Sequence, residues 1–364
     1  MALKVLFIGN YDIPVHNIRP EAEMVIGLKA RGVDVEVMTQ GHCWYAGRMR
    51  EAGIVVHDFV PPSKLSWAAI RTIRNCLRRG RHDILHLFNN KAIANGNLAA
   101  LGLPVKVVTY RGQTGNISRL DPSCYLTHLS PRVDRIVCVS NAVRDDLLQR
   151  VYDRHKPVTI YKGHDIAWYQ DIRPLPRAAL DVPGDAFLVG CVANNRPRKG
   201  VPVLMDAARA LDTAVPVHFV LAGNGMDADL LLPLLEGHPV GARCHFLGHR
   251  EDALELVAAC DATVLPAIKR EGLPKTVIES MALGVAPIVT HTGGSPELVV
   301  DGESGLVVPP GDALALAAAI TQLAENRVRA RAMGGAARAR IASRFRLSDA
   351  IEQHLALYRE LVPG

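Results

Sequence analysis

The stretch ATVLPAIKREGLPKTVIESMALG, residues 262–284, reads as a strand, a loop and a helix in immediate succession. Its first part is apolar and β-branched, which is typical of a buried strand. Pro274 suits the first turn of a helix, where its missing N–H costs nothing, and Gly284 suits the C′ position that ends one. A strand that leads through a short loop into a helix is the repeating unit of a parallel α/β sheet.

The same alternation extends in both directions along the chain. Short apolar strands alternate with helix-length segments from KVLFIG (4–9) to VTIYKG (158–163), and the pattern restarts at FLVGCVAN (187–194). The Pro-rich segment IRPLPRAALDVPGD (172–185) separates the two runs. Two such runs predict two doubly wound, parallel α/β sheets.

We therefore expect two Rossmann-like domains that face each other across a cleft, the usual place for ligands. The first comprises residues 1–165, and the second comprises residues 166–345. A C-terminal helix over 346–364 is expected to pack back on the first domain.

Composition excludes several classes of protein. The 364 residues are 49% hydrophobic and 21% charged, and the net charge of +6 is concentrated in the first domain. No apolar run approaches the roughly 20 residues that span a bilayer. The beginning MALKVLFIGN has no secretory signal, so we expect a cytoplasmic protein. The 7 cysteines show no CxxC spacing and are interpreted as reduced thiols.

Two carboxylates flank the start of the helix in the opening stretch. Glu271 lies in the loop and Glu279 lies inside the helix, and on one continuous helix they would point about 80° apart. The free N–H groups at the start of that helix, with Lys275 nearby, predict an anion site. A carboxylate on each side of a phosphate site can accept hydrogen bonds from hydroxyl groups. One glutamate would bind a sugar beyond the phosphates, and the other would bind the ribose before them.

The stretch EGLPKTVIESMALGVAPIVTHTGGSPELVVDGESGLVVPPGD (271–312) resembles the E-x7-E region of the retaining glycosyltransferases of family 4, which have the GT-B fold. The resemblance implies that Glu279 binds ribose hydroxyls and that Glu271 orients the transferred sugar. It also implies that the backbone after Glu271 meets the sugar and the diphosphate. The remaining predicted donor-binding residues are Gly272, Leu273, Pro274, Lys275, Thr276, Asn194, Gly248 and His249.

A basic loop at 194–200 resembles the family's phosphate clamp. Lys199 falls on the family's lysine, but Asn194 occupies the position of its arginine. Arg196 or Arg198 is expected to take over that role, and Arg196 is favoured. Cations at this place would neutralise the diphosphate leaving group.

Several residues of the first domain are weaker candidates. The resemblance implies that His86, at the end of the DILHLF strand, contacts the donor sugar, and a structural histidine is the alternative. Arg111 is expected to face the cleft and to bind a phosphate or an acidic acceptor. His16, Asn17 and Arg19 replace the glycines that relatives carry after the first strand. They are expected to contact the acceptor or a phosphate, unless the loop serves only packing.

Two further patterns have competing interpretations. The segment 66–82 is a basic amphipathic helix, which suits either a peripheral contact with the inner face of the cell membrane or an ordinary solvated helix. Asp227 and Asp229 form a DxD pattern that could bind a metal. They open a predicted helix, so we interpret them as an N-terminal cap.

The resemblance implies a retaining, metal-independent hexosyltransferase without a cofactor. Its donor would be a nucleotide-diphosphate sugar, with UDP favoured over GDP. Its acceptor would be a glycan or a lipid-linked molecule of cell-surface polysaccharide or lipopolysaccharide biosynthesis, and no nucleic acid partner is expected. The alternatives are a GT-B sugar-nucleotide epimerase and a non-catalytic binding protein. An NAD-dependent dehydrogenase would need GxGxxG after the first strand, which GNYDIP does not supply.

Overall fold

The computed structural model describes residues 3–363 in two compact units. The first unit contains the residues up to His164 and those from Phe345 onward. The second unit is Asp165–Arg344. Each unit contains one parallel sheet with helices on its faces, so the predicted fold class is confirmed.

The first unit is built on a seven-stranded parallel sheet in the order β3-β2-β1-β4-β5-β6-β7. Its strands are β1 (Lys4–Ile8), β2 (Asp34–Thr39), β3 (Val55–Asp58), β4 (Ile84–Leu87), β5 (Lys106–Arg111), β6 (Arg135–Cys138) and β7 (Pro157–Thr159). The helices that connect them are α1 (Val15–Ala30), α2 (Trp44–Glu51), α3 (Trp67–Gly80), α4 (Asn90–Ala99) and α5 (Asn141–Leu148).

The second unit repeats this plan with six strands in the order β10-β9-β8-β11-β12-β13. Its strands are β8 (Phe187–Val192), β9 (Val217–Ala222), β10 (Cys244–Phe246), β11 (Ala262–Leu265), β12 (Ala286–Thr290) and β13 (Leu306–Val308). Its helices are α6 (Val201–Arg209), α7 (Ala228–Leu231), α8 (Ala253–Ala259), α9 (Lys275–Ala282), α10 (Ser295–Leu298), α11 (Ala313–Glu325) and α12 (Arg327–Arg344).

In both sheets the chain starts in the middle, winds to one side, and then crosses to the other. The point of reversal lies between β1 and β4 in the first unit and between β8 and β11 in the second. At such a point the loops that follow the two strands diverge and leave a crevice at the carboxyl edge, where ligands of doubly wound sheets bind.

Helix α1 begins earlier than the sequence predicts. It starts at Val15 and contains Pro20, although His16, Asn17 and Arg19 are predicted from the sequence to lie in a loop. Pro20 lies in the second turn, where its missing N–H costs one backbone hydrogen bond. Burial of this helix against the sheet offsets that cost, since Ala22, Val25 and Leu28 are fully buried.

The last helix, α13 (Leu347–Leu361), belongs to the first unit. It packs against α1, where Arg31 forms an ion pair with Glu352. Gly27 leaves the room for this contact, since a Cβ there would lie 2.2 Å from Cδ1 of Ile351. No helix within residues 3–363 has both the length and the apolarity that a bilayer crossing requires.

Candidate functional site

The predicted donor residues of the second unit gather at the crevice between β8 and β11. The loop after β8 carries Lys199, and the loop after β11 carries Glu271. These two strands pair side by side and in parallel, so both loops leave the same edge of the sheet. The topology therefore brings together two segments that are about 70 residues apart in sequence, as expected at the reversal point of a doubly wound sheet.

A buried carboxylate and two cations form the centre of this site. The Oε1 atom of Glu271 lies 2.9 Å from Nζ of Lys199 and 3.1 Å from Nη1 of Arg198. The Glu271 side chain is only 5% exposed, whereas both cations keep part of their surface in solvent. The cluster thus presents positive charge outward from a carboxylate that is fixed beneath it.

Backbone geometry in the basic loop explains how the cations reach Glu271. Gly200 has a φ of +69°, and a Cβ there would lie 1.9 Å from the carbonyl oxygen of Pro266. Only glycine fits this close approach of the loop to the segment after β11. The N–H of Ile268 donates to the carbonyl of Arg198 at 2.9 Å and joins the two loops directly.

The loop that carries Glu271 is held in an unusual conformation. Arg270, just before it, has a φ of +61°, a left-handed conformation that a residue with a side chain adopts at an energetic cost. On the other side, the turn at residues 292–294 packs against this loop. A Cβ on Gly293 would lie 2.1 Å from the carbonyl oxygen of Glu271, and the N–H of Gly294 donates to the carbonyl of Gly272 at 2.8 Å.

Helix α9 places the second glutamate. Pro274 is its N-cap residue, and Gly284 follows its C-terminus with a φ of +77°. Glu279 is buried in the second turn and pairs with Lys275, whose Nζ lies 3.0 Å from Oε1. The first N–H groups of any helix lack partners within it, so the segment from Gly272 to Thr276 suits an anion.

The two candidate arginines of the basic loop differ in their contacts. Arg198, in the 3₁₀ turn Pro197–Lys199, contacts Glu271, whereas the favoured Arg196 makes no such contact, so we now favour Arg198 for the phosphate. The Arg196 side chain is exposed. Asn194 turns instead toward the neighbouring loop, and its Oδ1 accepts from the N–H of Asn224 at 3.2 Å.

The loop with the predicted donor-binding residues Gly248 and His249 also lies at this edge. Gly248 has a φ of +58°, and its carbonyl accepts from the N–H of Gly223 at 2.7 Å. His249 follows and is exposed. Asp227 occupies the N-cap position of α7, although its side chain makes no capping hydrogen bond there.

His86 has to be corrected, because it lies in the core of the first unit. Its side chain is fully buried, its Nδ1 lies 2.6 Å from the hydroxyl oxygen of Tyr358, and its ring stacks on Phe88. Burial and the neighbouring His354 hold the pKa of His86 well below its usual value, so the imidazole stays neutral. The structural interpretation of this histidine, which the sequence left open, therefore replaces the donor contact.

Arg111 is buried, which disfavours the predicted contact with a phosphate or an acidic acceptor. It ends β5, is 6% exposed, and donates through its guanidinium to the carbonyl of Gly115. Burial lowers the pKa of Arg111, and Asp146 partly opposes that effect. Asp146 also accepts from the N–H of Gly115 at 2.9 Å, so Arg111 and Asp146 together fix the loop after β5.

The three remaining candidates of the first unit lie at the start of α1. His16, Asn17 and Arg19 are half-buried in its first turns, next to the carboxyl edge of the sheet where β1 ends. The sequence missed a neighbouring ion pair, in which Nζ of Lys162 lies 2.6 Å from Oε1 of Glu21. The hydroxyl of Tyr110 donates to the same carboxylate oxygen at 3.0 Å.

The apolar side of helix α3 faces the core. Ile70, Ile73 and Leu77 are buried there, so this stripe is not available to a membrane. Trp67, at the start of the helix, is 79% exposed. The exposed arginines on and just after the helix are Arg71, Arg78, Arg79 and Arg81.

Two family models match the chain, and together they span most of its length. The model described as "Glycosyl transferases group 1" matches residues 173–340, where the Glu271 cluster lies. The model described as "Glycosyltransferase Family 4" matches residues 22–168. The chain belongs to glycosyltransferase family 4. It is thus a glycosyltransferase with the GT-B fold, as the sequence predicts.

Similar proteins include other glycosyltransferases. The chain is 26% identical over 314 residues to the N-acetyl-alpha-D-glucosaminyl L-malate synthase of Bacillus anthracis. This match covers 83% of the family 4 chain and 80% of the synthase. It is 33% identical over 180 residues to the lipopolysaccharide core biosynthesis glycosyltransferase LpsE of Rhizobium meliloti, a match that covers 46% of the chain and 52% of LpsE.

A solved structure shares the fold over nearly the whole length. The crystal structure of Anabaena Alr3699/HepE in complex with UDP superposes with a TM-score of 0.79 at 21% identity, and it covers 98% of this chain and 100% of HepE. HepE has also been solved in complex with UDP-glucose. At this level of identity the comparison shows the fold.

Proposed function

We propose that this glycosyltransferase transfers a sugar from a nucleotide-diphosphate donor, with retention of the anomeric configuration, to a glycan or lipid-linked acceptor. The observation that carries the proposal is the cluster of Glu271, Lys199 and Arg198 at the carboxyl edge of the second sheet. Two cations above a fixed carboxylate suit a ligand with a negatively charged diphosphate and a hydroxyl-rich sugar.

Each residue of this site then has a defined task. Lys199 and Arg198 neutralise the negative charge that builds up on the diphosphate as the bond from the sugar to the phosphate breaks. Glu271 accepts hydrogen bonds from hydroxyls of the transferred sugar, and Glu279 accepts them from the ribose. The start of α9, from Gly272 to Thr276, binds phosphate oxygens through its N–H groups.

Retention is proposed to arise by reaction on one face of the sugar. The acceptor oxygen bonds to the anomeric carbon on the side that the phosphate leaves, and the acceptor proton passes to a phosphate oxygen. The donor supplies the base in this scheme. Analysis of the anomeric configuration of the product by NMR tests the scheme, and an inverted product would refute it.

UDP is the proposed nucleotide, with GDP as the alternative. HepE, which shares the fold, was solved with UDP and with UDP-glucose, and this favours uridine. LpsE, a similar protein, acts in lipopolysaccharide core biosynthesis, and this favours an acceptor from cell-surface polysaccharide or lipopolysaccharide.

Transfer is proposed to need no metal and no further cofactor, because Lys199, Arg198 and the start of α9 supply the positive charge that a divalent cation would provide. Release of UDP from a panel of UDP-sugars, measured with a lipid or polysaccharide extract as the acceptor source and with EDTA present, tests this. Extract-dependent release that survives EDTA supports the proposal. Release that needs added Mg²⁺ or Mn²⁺ would refute metal independence.

A peripheral membrane contact is proposed for the basic surface of α3. Because the apolar stripe of this helix is buried, the contact would rest on arginines and on Trp67, so it should depend on anionic lipid and fall with added salt. Sedimentation with anionic and neutral vesicles tests it, using Arg78→Glu with Arg79→Glu as the charge-reversed variant. Equal binding to both kinds of vesicle would argue against this electrostatic contact.

The alternative functions predict different results with the same donor. An epimerase would change the sugar of the nucleotide-sugar without an acceptor, and a non-catalytic binding protein would bind the donor and leave it intact. Mass and NMR analysis of the donor after incubation separates both from transfer.

A further inference from the structure

A group of metal-binding side chains lies on the first unit, where strands β2 and β3 meet helix α3. The Nε2 atom of His57 lies 2.7 Å from Oε2 of Glu36. The Sγ atom of Cys76 lies 3.7 Å from the same His57 nitrogen and 3.9 Å from the same Glu36 oxygen. The three ligand atoms all lie within 4.8 Å of one another.

Three separate elements contribute to this group. Glu36 is on β2 and His57 is on β3, in register positions that place both side chains on one face of the sheet. Helix α3 covers that face with Ile73 and Leu77, and Cys76 projects from the same helix. The group therefore joins the edge strand β3, its neighbour β2 and the covering helix.

A second observation points to a ligand at this place. His82 is 4% exposed, and its Nδ1 has no hydrogen-bond partner among the described residues. Its Nε2 lies 3.3 Å from Oε2 of Glu36, the oxygen that also faces His57 and Cys76. A buried nitrogen without a partner is costly, and a water carried by a bound cation could supply one.

The chain is shaped to hold His82 there. Helix α3 ends at Gly80, and Arg81 turns the chain back with a φ of +50°. A Cβ on Gly80 would lie 2.1 Å from the ring of His82, so glycine leaves the space that the ring fills. A strained turn and a glycine are thus used to bury a histidine beside a carboxylate.

We propose that Glu36, His57 and Cys76 bind one Zn²⁺ ion, which fastens the edge strand β3 to helix α3. A thiolate, an imidazole and a carboxylate are the ligand types that zinc takes, and the thiolate disfavours Mg²⁺ and Ca²⁺. Tetrahedral zinc separates such ligand atoms by about 3.3–3.6 Å, so the His57–Glu36 pair must open by roughly half an ångström.

The charges around the group fit a divalent ion. The Cys76 thiolate and the Glu36 carboxylate balance the two positive charges, and the thiol proton goes to solvent on binding. Glu36 keeps its other oxygen for Lys4, whose Nζ lies 2.8 Å from Oε1 and fixes the carboxylate. The fourth ligand position lies open to water, because His57 is partly exposed.

The test uses the full-length chain without a histidine tag, reduced and freed of metal with EDTA. Zn²⁺ is titrated in competition with a chromophoric chelator, and Co²⁺ is used as a spectroscopic substitute. We expect one equivalent of metal, a near-ultraviolet thiolate-to-Co²⁺ charge-transfer band, and visible bands of a tetrahedral ion. A wild-type Co²⁺ complex without the thiolate band overturns the proposal, whatever the variants do.

Matched variants locate the site. Cys76→Ser should remove the charge-transfer band, and both Cys76→Ser and His57→Ala should weaken Zn²⁺ binding at least tenfold. His42→Ala is the control, since His42 is an exposed histidine next to Asp12. Equal Zn²⁺ affinity in wild type, Cys76→Ser and His57→Ala would overturn the assignment. Thermal melting in EDTA, where each of the four proteins should show one cooperative transition, shows that the variants fold.

Discussion

Replacing Glu271 by glutamine separates its two proposed roles. The Glu271 carboxylate pairs with Lys199 at 2.9 Å and with Arg198 at 3.1 Å, and all three side chains are largely buried. Hydrogen bonds to charged groups contribute about 1.5–3 kcal/mol each. An amide retains part of both, so we expect Glu271→Gln to lower the free energy of unfolding by about 2–4 kcal/mol.

For a unit of this size, that loss corresponds to a decrease in melting temperature of roughly 5–15 °C. UDP should nevertheless bind Glu271→Gln at least as tightly as wild type, because Lys199 and Arg198 are freed for the diphosphate. Sugar transfer should fall by about tenfold or more, since one hydrogen bond to the transferred sugar is lost.

Thermal melting, calorimetry with UDP and a transfer assay measure these three quantities, with Glu303→Gln as an exposed control. The reasoning would be refuted if Glu271→Gln bound UDP more than tenfold more weakly than wild type and kept its melting temperature. That result would show that Glu271 contacts the nucleotide directly and that its ion pairs contribute nothing.

Three further predictions concern the phosphate clamp and the core. Arg198→Ala should weaken UDP binding about 10- to 150-fold, and Arg196→Ala, at an exposed position, should weaken it by less than threefold, both measured by calorimetry. A larger loss in Arg196→Ala than in Arg198→Ala would restore Arg196 as the phosphate-binding arginine. Tyr358→Phe leaves His86 without its hydrogen-bond partner, so the free energy of unfolding in urea should fall by about 1–3 kcal/mol. A changed Kd for UDP in this variant would contradict a purely structural role of His86. Burial lowers the pKa of His354 from 6.5 to about 4, so the neutral imidazole stabilises the fold above pH 6.5 and this stability is lost as the pH falls toward 4. Urea denaturation should give a free energy of unfolding that is lower at pH 4 than at pH 7, with His354 contributing on the order of 3 kcal/mol to the difference. If the free energy of unfolding of His354→Gln depended on pH as that of wild type does, this prediction would be refuted.

The fold could be predicted because its signals are local. Strands alternate with helices along the chain, and residues typical of helix ends, Pro274 and Gly284, mark the two ends of α9. The pattern around Glu271 and Glu279 is also local, so both glutamates could be selected from sequence. The start of α1 was missed because Pro20 is a helix breaker by local rules, and tertiary burial overrides that preference.

The errors concern contacts over long sequence distances. Arg198 is selected over Arg196 by a hydrogen bond from Ile268 and by the fit of Gly200 under Pro266, which no pattern in the basic loop shows. The burial of His86 depends on a partner 272 residues away in the C-terminal helix.

The zinc ligands illustrate the same limit. Glu36, His57 and Cys76 come from two strands and a helix, with none of the short spacings that mark metal sites in sequence. Only the strand register and the position of α3 bring them together.

Calorimetric binding of UDP, GDP and ADP to wild type and to Glu279→Ala tests the donor-site assignment most directly. We predict that UDP binds, and that Glu279→Ala loses about 1.5–3 kcal/mol of that binding, roughly 10- to 150-fold, while Glu303→Ala loses none. If no nucleotide binds, or if Glu279→Ala binds UDP as tightly as wild type, the ribose assignment is wrong and the donor site is not the one described.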